Sequence, residues 1–172
     1  LMLALFVGCG GETGSSSAST SSPNVVIIFL DDVGYGDLGT YGHPTIQTPH
    51  MDRMAAEGFK LTGFYAAAPS CSPSRAGLLT GRYPVRAGIF WALGPEEENG
   101  IPAEEWMLSE ALNERGYRTA AVGKWHLGSW PGLLTTEHGI DSFFGLLYSN
   151  DMIRPRVNTD RPLELYRDTE PI

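Results

Sequence analysis

Three groups of residues in this chain have types and spacing suited to chemistry. The first lies in "PSCSPSRAGLLTG", Pro69 to Gly81. Ser72 and Pro73 suit the start of a helix, which sets Cys71 at its N-terminal edge. Unpaired backbone N–H groups and the helix dipole favour negative charge there. Arg75, on the first turn, adds a planar cation that can grip an anion with two bonds. The plain alternative is a small residue that happens to precede a helix. Asp31 and Asp32 form the second group and follow the apolar run "NVVIIFL" directly. Two adjacent carboxylates need a positive partner or water. Their hard oxygens suit Ca²⁺ or Mg²⁺, and a capping or solvated pair is the alternative. The third group is "GKWHLG", where extended backbone would point Lys124 and His126 to one side and Trp125 to the other. A permanent cation beside an imidazole suits anion binding with proton transfer, and a surface lysine beside a core-edge histidine is the alternative.

The elements that must position these residues follow from local pattern. Asn24–Leu30 reads as a β-branched strand buried on both faces, as in a parallel sheet. "TPHMDRMAAEG" predicts a helix with Thr48 as cap, Pro49 in the first turn and Gly58 as the stop. "FKLTGFYA" alternates like a strand. A helix starting near Ser72 ends at Gly81, and another spans 103–115, with Trp106, Leu108, Ala111 and Leu112 turned inward. A strand from about Arg118 to Val122 then breaks into a loop. Strands alternating with helices predict an α/β fold with a largely parallel sheet. Ligands of such sheets gather at the carboxyl ends of strands, where Asp31, Asp32, Lys124 and His126 fall.

The 172 residues carry a net charge of −8, and 42% are hydrophobic, which suits one packed domain or part of a larger one. An acidic chain is poorly built to hold nucleic acid, so no nucleic-acid partner is expected. Residues 1–9 read as the remnant of an export signal. The run is too short to span a bilayer and closes on a lipobox-like "FVGC" that would make Cys9 a lipid-anchored N-terminus. With no initial Met and no Lys or Arg before Arg53, this end reads as truncated. Residues 10–23 read as a Gly/Ser/Thr-rich tether, and residues 24–172 as the N-terminal part of a catalytic domain. A lipidated Cys9 leaves Cys71 without a disulfide partner. A receiver domain of two-component signalling also ends its first strand in acidic residues, but it needs a phospho-accepting Asp on a later strand. This chain has no Asp between Asp52 and Asp141.

"CSPSRAGLLTG" resembles the signature of the type I sulfatases, Cys-x-Pro-Ser-Arg followed by Leu-Thr-Gly. Further landmarks come in the family's order. "PNVVIIFLDDVGYGDLGTYG" is similar to its first strand and metal loop, and "TPHMDRMAAEGFKLTGFYA" to its first helix and second strand. "GYRTAAVGKWHLG" is similar to its second signature, and "FFGLLYSND" to the segment after it. The likeness covers nearly all of 23–151 and is nearest to the arylsulfatase A and galactosamine-6-sulfatase group. It implies an alkaline-phosphatase-like α/β fold, of which this is the N-terminal portion. It also implies hydrolysis of sulfate esters.

In that family the signature cysteine is oxidised to formylglycine by a generating enzyme, so Cys71 would react as an aldehyde hydrate. One hydroxyl attacks sulfur; the other, once deprotonated, expels sulfate. By the same likeness Asp31 and Asp32 would ligate Ca²⁺ (or Mg²⁺) with the formylglycine oxygen of Cys71. Gly36 and Gly39 would shape the metal loop. Arg75 would hold the hydroxyls, Lys124 would bind sulfate, His126 would take the proton, and Ser149 would lie near the substrate. The family's chain is far longer, and its remaining metal and sulfate ligands have no counterpart here. Since Ca²⁺ takes six to eight oxygens, little activity is expected of this chain alone. The expected protein is an exported bacterial enzyme of the periplasm or cell surface, acting on a sulfated small molecule or glycan. Two other readings remain: a formylglycine-dependent phosphodiesterase or phosphonate hydrolase, and a non-catalytic lipoprotein that binds sulfated glycans.

Overall fold

The computed structural model describes residues 2–5 and 22–172. The lipobox-like end at Cys9 and most of the tether lie outside the described residues. Among those described, no helix is long and apolar enough to cross a membrane. The chain divides into two compact units, up to Tyr65 and from Ala66 to Ile172.

The first unit pairs β1 (Met2–Leu5) antiparallel with β2 (Val26–Phe29). The buried parallel strand expected over 24–30 is thus shorter here, and Val26 and Ile28 are exposed. A strand is covered only by what packs on it, and among the described residues β1 is its one strand neighbour. The loop after β2 winds through two 3-10 turns, Tyr35–Asp37 and Gly39–Tyr41. Helix α1 (Pro49–Glu57) then begins at the expected Thr48 and Pro49. The Asp52 carboxylate ties helix to loop, accepting from the Thr40 amide at 2.6 Å and the Thr48 hydroxyl at 2.9 Å. The strand expected in "FKLTGFYA" does not form, and Phe59 is 90% exposed. Tyrosine hydroxyls occupy the carbonyls a strand would have used. Tyr41 donates to Leu61 O at 3.0 Å, and Tyr35 donates to Phe64 O.

The second unit holds α2 (Cys71–Thr80), α3 (Leu108–Asn113) and a four-stranded mixed sheet. Its strands are β3 (Ala120–Lys124), β4 (Ser142–Leu146), β5 (Tyr166–Arg167) and β6 (Glu170–Pro171), in that order. β3 and β4 run parallel with Gly123 opposite Gly145, and the other two pairs are antiparallel. Ile89, Leu93, Ile101, Met107, Leu127 and Phe143 lead the core. α2 starts two residues earlier than expected, at Cys71 instead of Pro73. Ser70 is its N-cap, Ser72 is fully buried inside it, and Gly81 closes it in the left-handed conformation (φ 65°). Helix 103–115 is shortened to α3, and Trp106 is exposed instead of packed. Residues before Met107 form a turn, with Glu105 N donating to Pro102 O at 3.0 Å. The helical period that would carry Trp106 inward therefore has not begun. β3 lies two residues later than expected, which makes Lys124 its last residue.

Candidate active site

Helix α2 presents Cys71 as its first residue, half-buried. Buried Ser72, Pro73, Ser74 and Ala76 hold that end of the helix in place. Ser74 clamps the preceding loop through its hydroxyl, which donates to Ala68 O at 2.5 Å. Gly77 permits the close approach of that loop, because a Cβ there would meet Ala67 Cβ at 2.6 Å.

One turn beyond Cys71, the Arg75 guanidinium donates through Nη1 to the carbonyl of Lys124. The Lys124 ammonium lies 3.4 Å from Cys71 Sγ. Lys124 therefore joins the other two residues by separate ends, its main chain to Arg75 and its side chain to Cys71. Two cations around one thiol-bearing helix start form a place for an anion.

Past the end of β3, Trp125 N donates to Leu146 O at 2.9 Å and His126 N to Leu147 O at 3.0 Å. At His126 the backbone turns left-handed (φ 60°), so the extended alternation expected over 124–126 stops at Lys124. Trp125 and His126 are both buried, 4% and 1% exposed. The His126 ring meets Leu93 O through Nε2 at 2.7 Å. A carbonyl can only accept, so Nε2 carries the proton and a neutral His126 keeps its lone pair on Nδ1.

Ser149 is buried just after β4. Its hydroxyl bonds the Asp151 carboxyl and is the main cause holding that group below the usual carboxylate range; the charges of Arg156 and Lys124 add to the effect. Asp31 and Asp32 belong to the first unit and leave the carboxyl end of β2 exposed to solvent, with Asp32 left-handed at φ 54°. They offer hard oxygens only, a donor set that fits Ca²⁺ or Mg²⁺ and would supply part of a coordination shell. Among the described residues three non-glycines have positive φ, and two of them are Asp32 and His126. Strain of this kind gathers at functional sites.

Three features have little or no signal in the sequence. The Ser72 hydroxyl accepts from Leu93 N at 3.0 Å. Leu93 takes part through its main chain, which residue type does not reveal. Asp151 is visible as an acid near Ser149, but its partners depend on the fold.

A family model described as Sulfatase matches residues 23–169. Arylsulfatase A of Bos taurus is 49% identical over 78% of this chain and 27% of its own length. N-acetylgalactosamine-6-sulfatase of Homo sapiens is 45% identical over 90% of this chain and 31% of its own. The chain thus spans less than a third of either relative. Among solved structures, Ps i-CgsB in complex with k-i-k-neocarrahexaose aligns with a TM-score of 0.73 and 32% identity, covering 83% of this chain and 35% of that one.

Proposed function

This chain belongs to the sulfatase family and has the alkaline-phosphatase-like α/β fold of its structural neighbours; on that premise we propose that it is the N-terminal part of an exported hydrolase acting on sulfate esters of a glycan. One observation carries the reading: Cys71 opens α2 with the Lys124 ammonium 3.4 Å from its sulfur, while Arg75 is tied to the Lys124 carbonyl.

The proposed nucleophile is Cys71 after conversion to formylglycine, whose hydrate supplies one hydroxyl to attack sulfur and a second to release sulfate. Ca²⁺ held by Asp31 and Asp32 would polarise the sulfate oxygens. Lys124 draws the sulfate towards residue 71 and balances its charge. Arg75 fixes the Lys124 main chain from one side and keeps positive charge at the start of the helix. His126 is held by Leu93 through Nε2, which makes Nδ1 the nitrogen that would take the proton. Ser149, buried just after β4, would lie near the substrate. The neocarrahexaose bound in a solved structure similar to this chain supports a glycan substrate, and the signal-like start of the sequence supports export.

The test uses the full-length protein that contains this chain, expressed with a formylglycine-generating enzyme. Mass spectrometry of the Cys71 peptide should show the aldehyde, and an aryl sulfate should be hydrolysed faster than an aryl phosphodiester. Preference for the phosphodiester would move the protein to the phosphodiesterase reading. An unmodified thiol with no turnover would leave a glycan-binding lipoprotein.

A further inference from the structure

We propose that Ser72 is a positioning residue for His126 and acts through the main chain of Leu93. The proposal rests on the hydrolase reading for its catalytic meaning, but its geometry stands apart from it. Ser72 is fully buried, one residue from Cys71, and its Oγ accepts from Leu93 N at 3.0 Å. The carbonyl of the same residue accepts from His126 Nε2 at 2.7 Å. One residue of main chain thus links the helix that carries the nucleophile to the imidazole that would serve it. Leu93 cannot drift, because its side chain is buried in the core at 4% exposure. The loop behind it is braced as well. Gly94 N donates to Glu97 Oε1 at 2.9 Å, and the Arg161 guanidinium donates to Pro95 O.

The consequence is a fixed tautomer. With Leu93 O accepting from Nε2, the neutral ring presents its lone pair at Nδ1. If the Leu93 carbonyl moves, the proton is free to change nitrogen and the lone pair turns away. Removing the Ser72 hydroxyl leaves the buried Leu93 N–H without its acceptor, and the residue must shift to find another. The pattern that defines the modification motif in this chain, Cys71, Pro73 and Arg75, leaves position 72 open. Conversion of Cys71 is therefore separable from the role of Ser72.

The experiment compares wild type, Ser72→Ala and Ser72→Thr in the full-length protein, with rates of aryl sulfate hydrolysis expressed per formylglycine found by mass spectrometry. Ser72→Ala should lose about tenfold or more in kcat with KM changed less than about twofold, since small misplacements of a reacting group cost rates on this scale. Ser72→Thr, which keeps the hydroxyl, should recover most of the loss. Unchanged kcat in Ser72→Ala, or equal damage in both variants, overturns the proposal. A second measurement requires neither turnover nor a folded variant. ¹⁵N spectra of the histidine-labelled wild-type protein should show neutral His126 protonated on Nε2. A proton on Nδ1 overturns the inference even in an active enzyme. An inactive wild type with the proton on Nε2 sinks only the hydrolase reading.

Discussion

Replacing Gly145 by alanine should cost this protein about 3–5 kcal/mol and loosen the candidate site with it. Gly145 faces Gly123 across the parallel β3–β4 pair. A Cβ at 145 would fall 1.7 Å from Gly123 O, 2.7 Å from its carbonyl carbon and 2.9 Å from its nitrogen. These are backbone atoms, so no side chain can swing aside, and the strands must part by more than an ångström. The backbone bonds just past the pair, Trp125 N to Leu146 O at 2.9 Å and His126 N to Leu147 O at 3.0 Å, do not survive such a stretch. Two lost bonds amount to about 2 kcal/mol, and overpacking adds about 1–3 kcal/mol. Urea denaturation of the full-length protein measures the sum. Gly63→Ala is the control, since its Cβ would meet nothing within 4 Å and should move stability by less than about 0.5 kcal/mol. If Gly145→Ala unfolds within about 1 kcal/mol of wild type, the strand contact does not hold the site in the way argued here.

Burial pushes the His138 imidazole below its ordinary 6.5, against the pull of Glu110 and Glu137. The unfolded chain then binds more protons as pH falls, so stability present above 6.5 is lost below it; His138→Asn should flatten that slope in denaturation midpoints taken at about pH 7.5 and about pH 5.5. Glu105 is 8% exposed and bonded to the Arg82 guanidinium. Arg82→Ala should therefore cost about 2–3 kcal/mol, with Glu105→Gln in the same background recovering part of it in thermal melts. Lys124→Ala should lower aryl sulfate kcat/KM about a hundredfold with little change in melting temperature; an unchanged rate would remove Lys124 from sulfate binding.

Much of the fold was legible where one residue type has one local use. Thr48 and Pro49 start α1, and Gly81 stops α2, because caps and left-handed ends are decided within a few residues. Features set by distant partners were less legible. "FKLTGFYA" alternates like a strand, yet Tyr35 and Tyr41 take its carbonyls. Trp106 sits on a helical period, but the helix starts after it. The meeting of Cys71, Arg75 and Lys124 follows from motifs that sequence displays. The link from Ser72 through Leu93 to His126 runs along a main chain, and at 93 any residue type but proline could supply it. The opposed glycines 123 and 145 depend on strand register, which spacing along the chain does not encode.

The left-handed backbone at His126 also bears on how this protein evolves. A histidine at φ 60° costs about 1–2 kcal/mol that a glycine would avoid and an asparagine would reduce. On the proposed reading of His126 as the proton acceptor, turnover would retain that cost. A descendant relieved of that role would gain stability by exchanging the imidazole for glycine or asparagine. The residue at 126 would then mark whether the proposed chemistry is still in use.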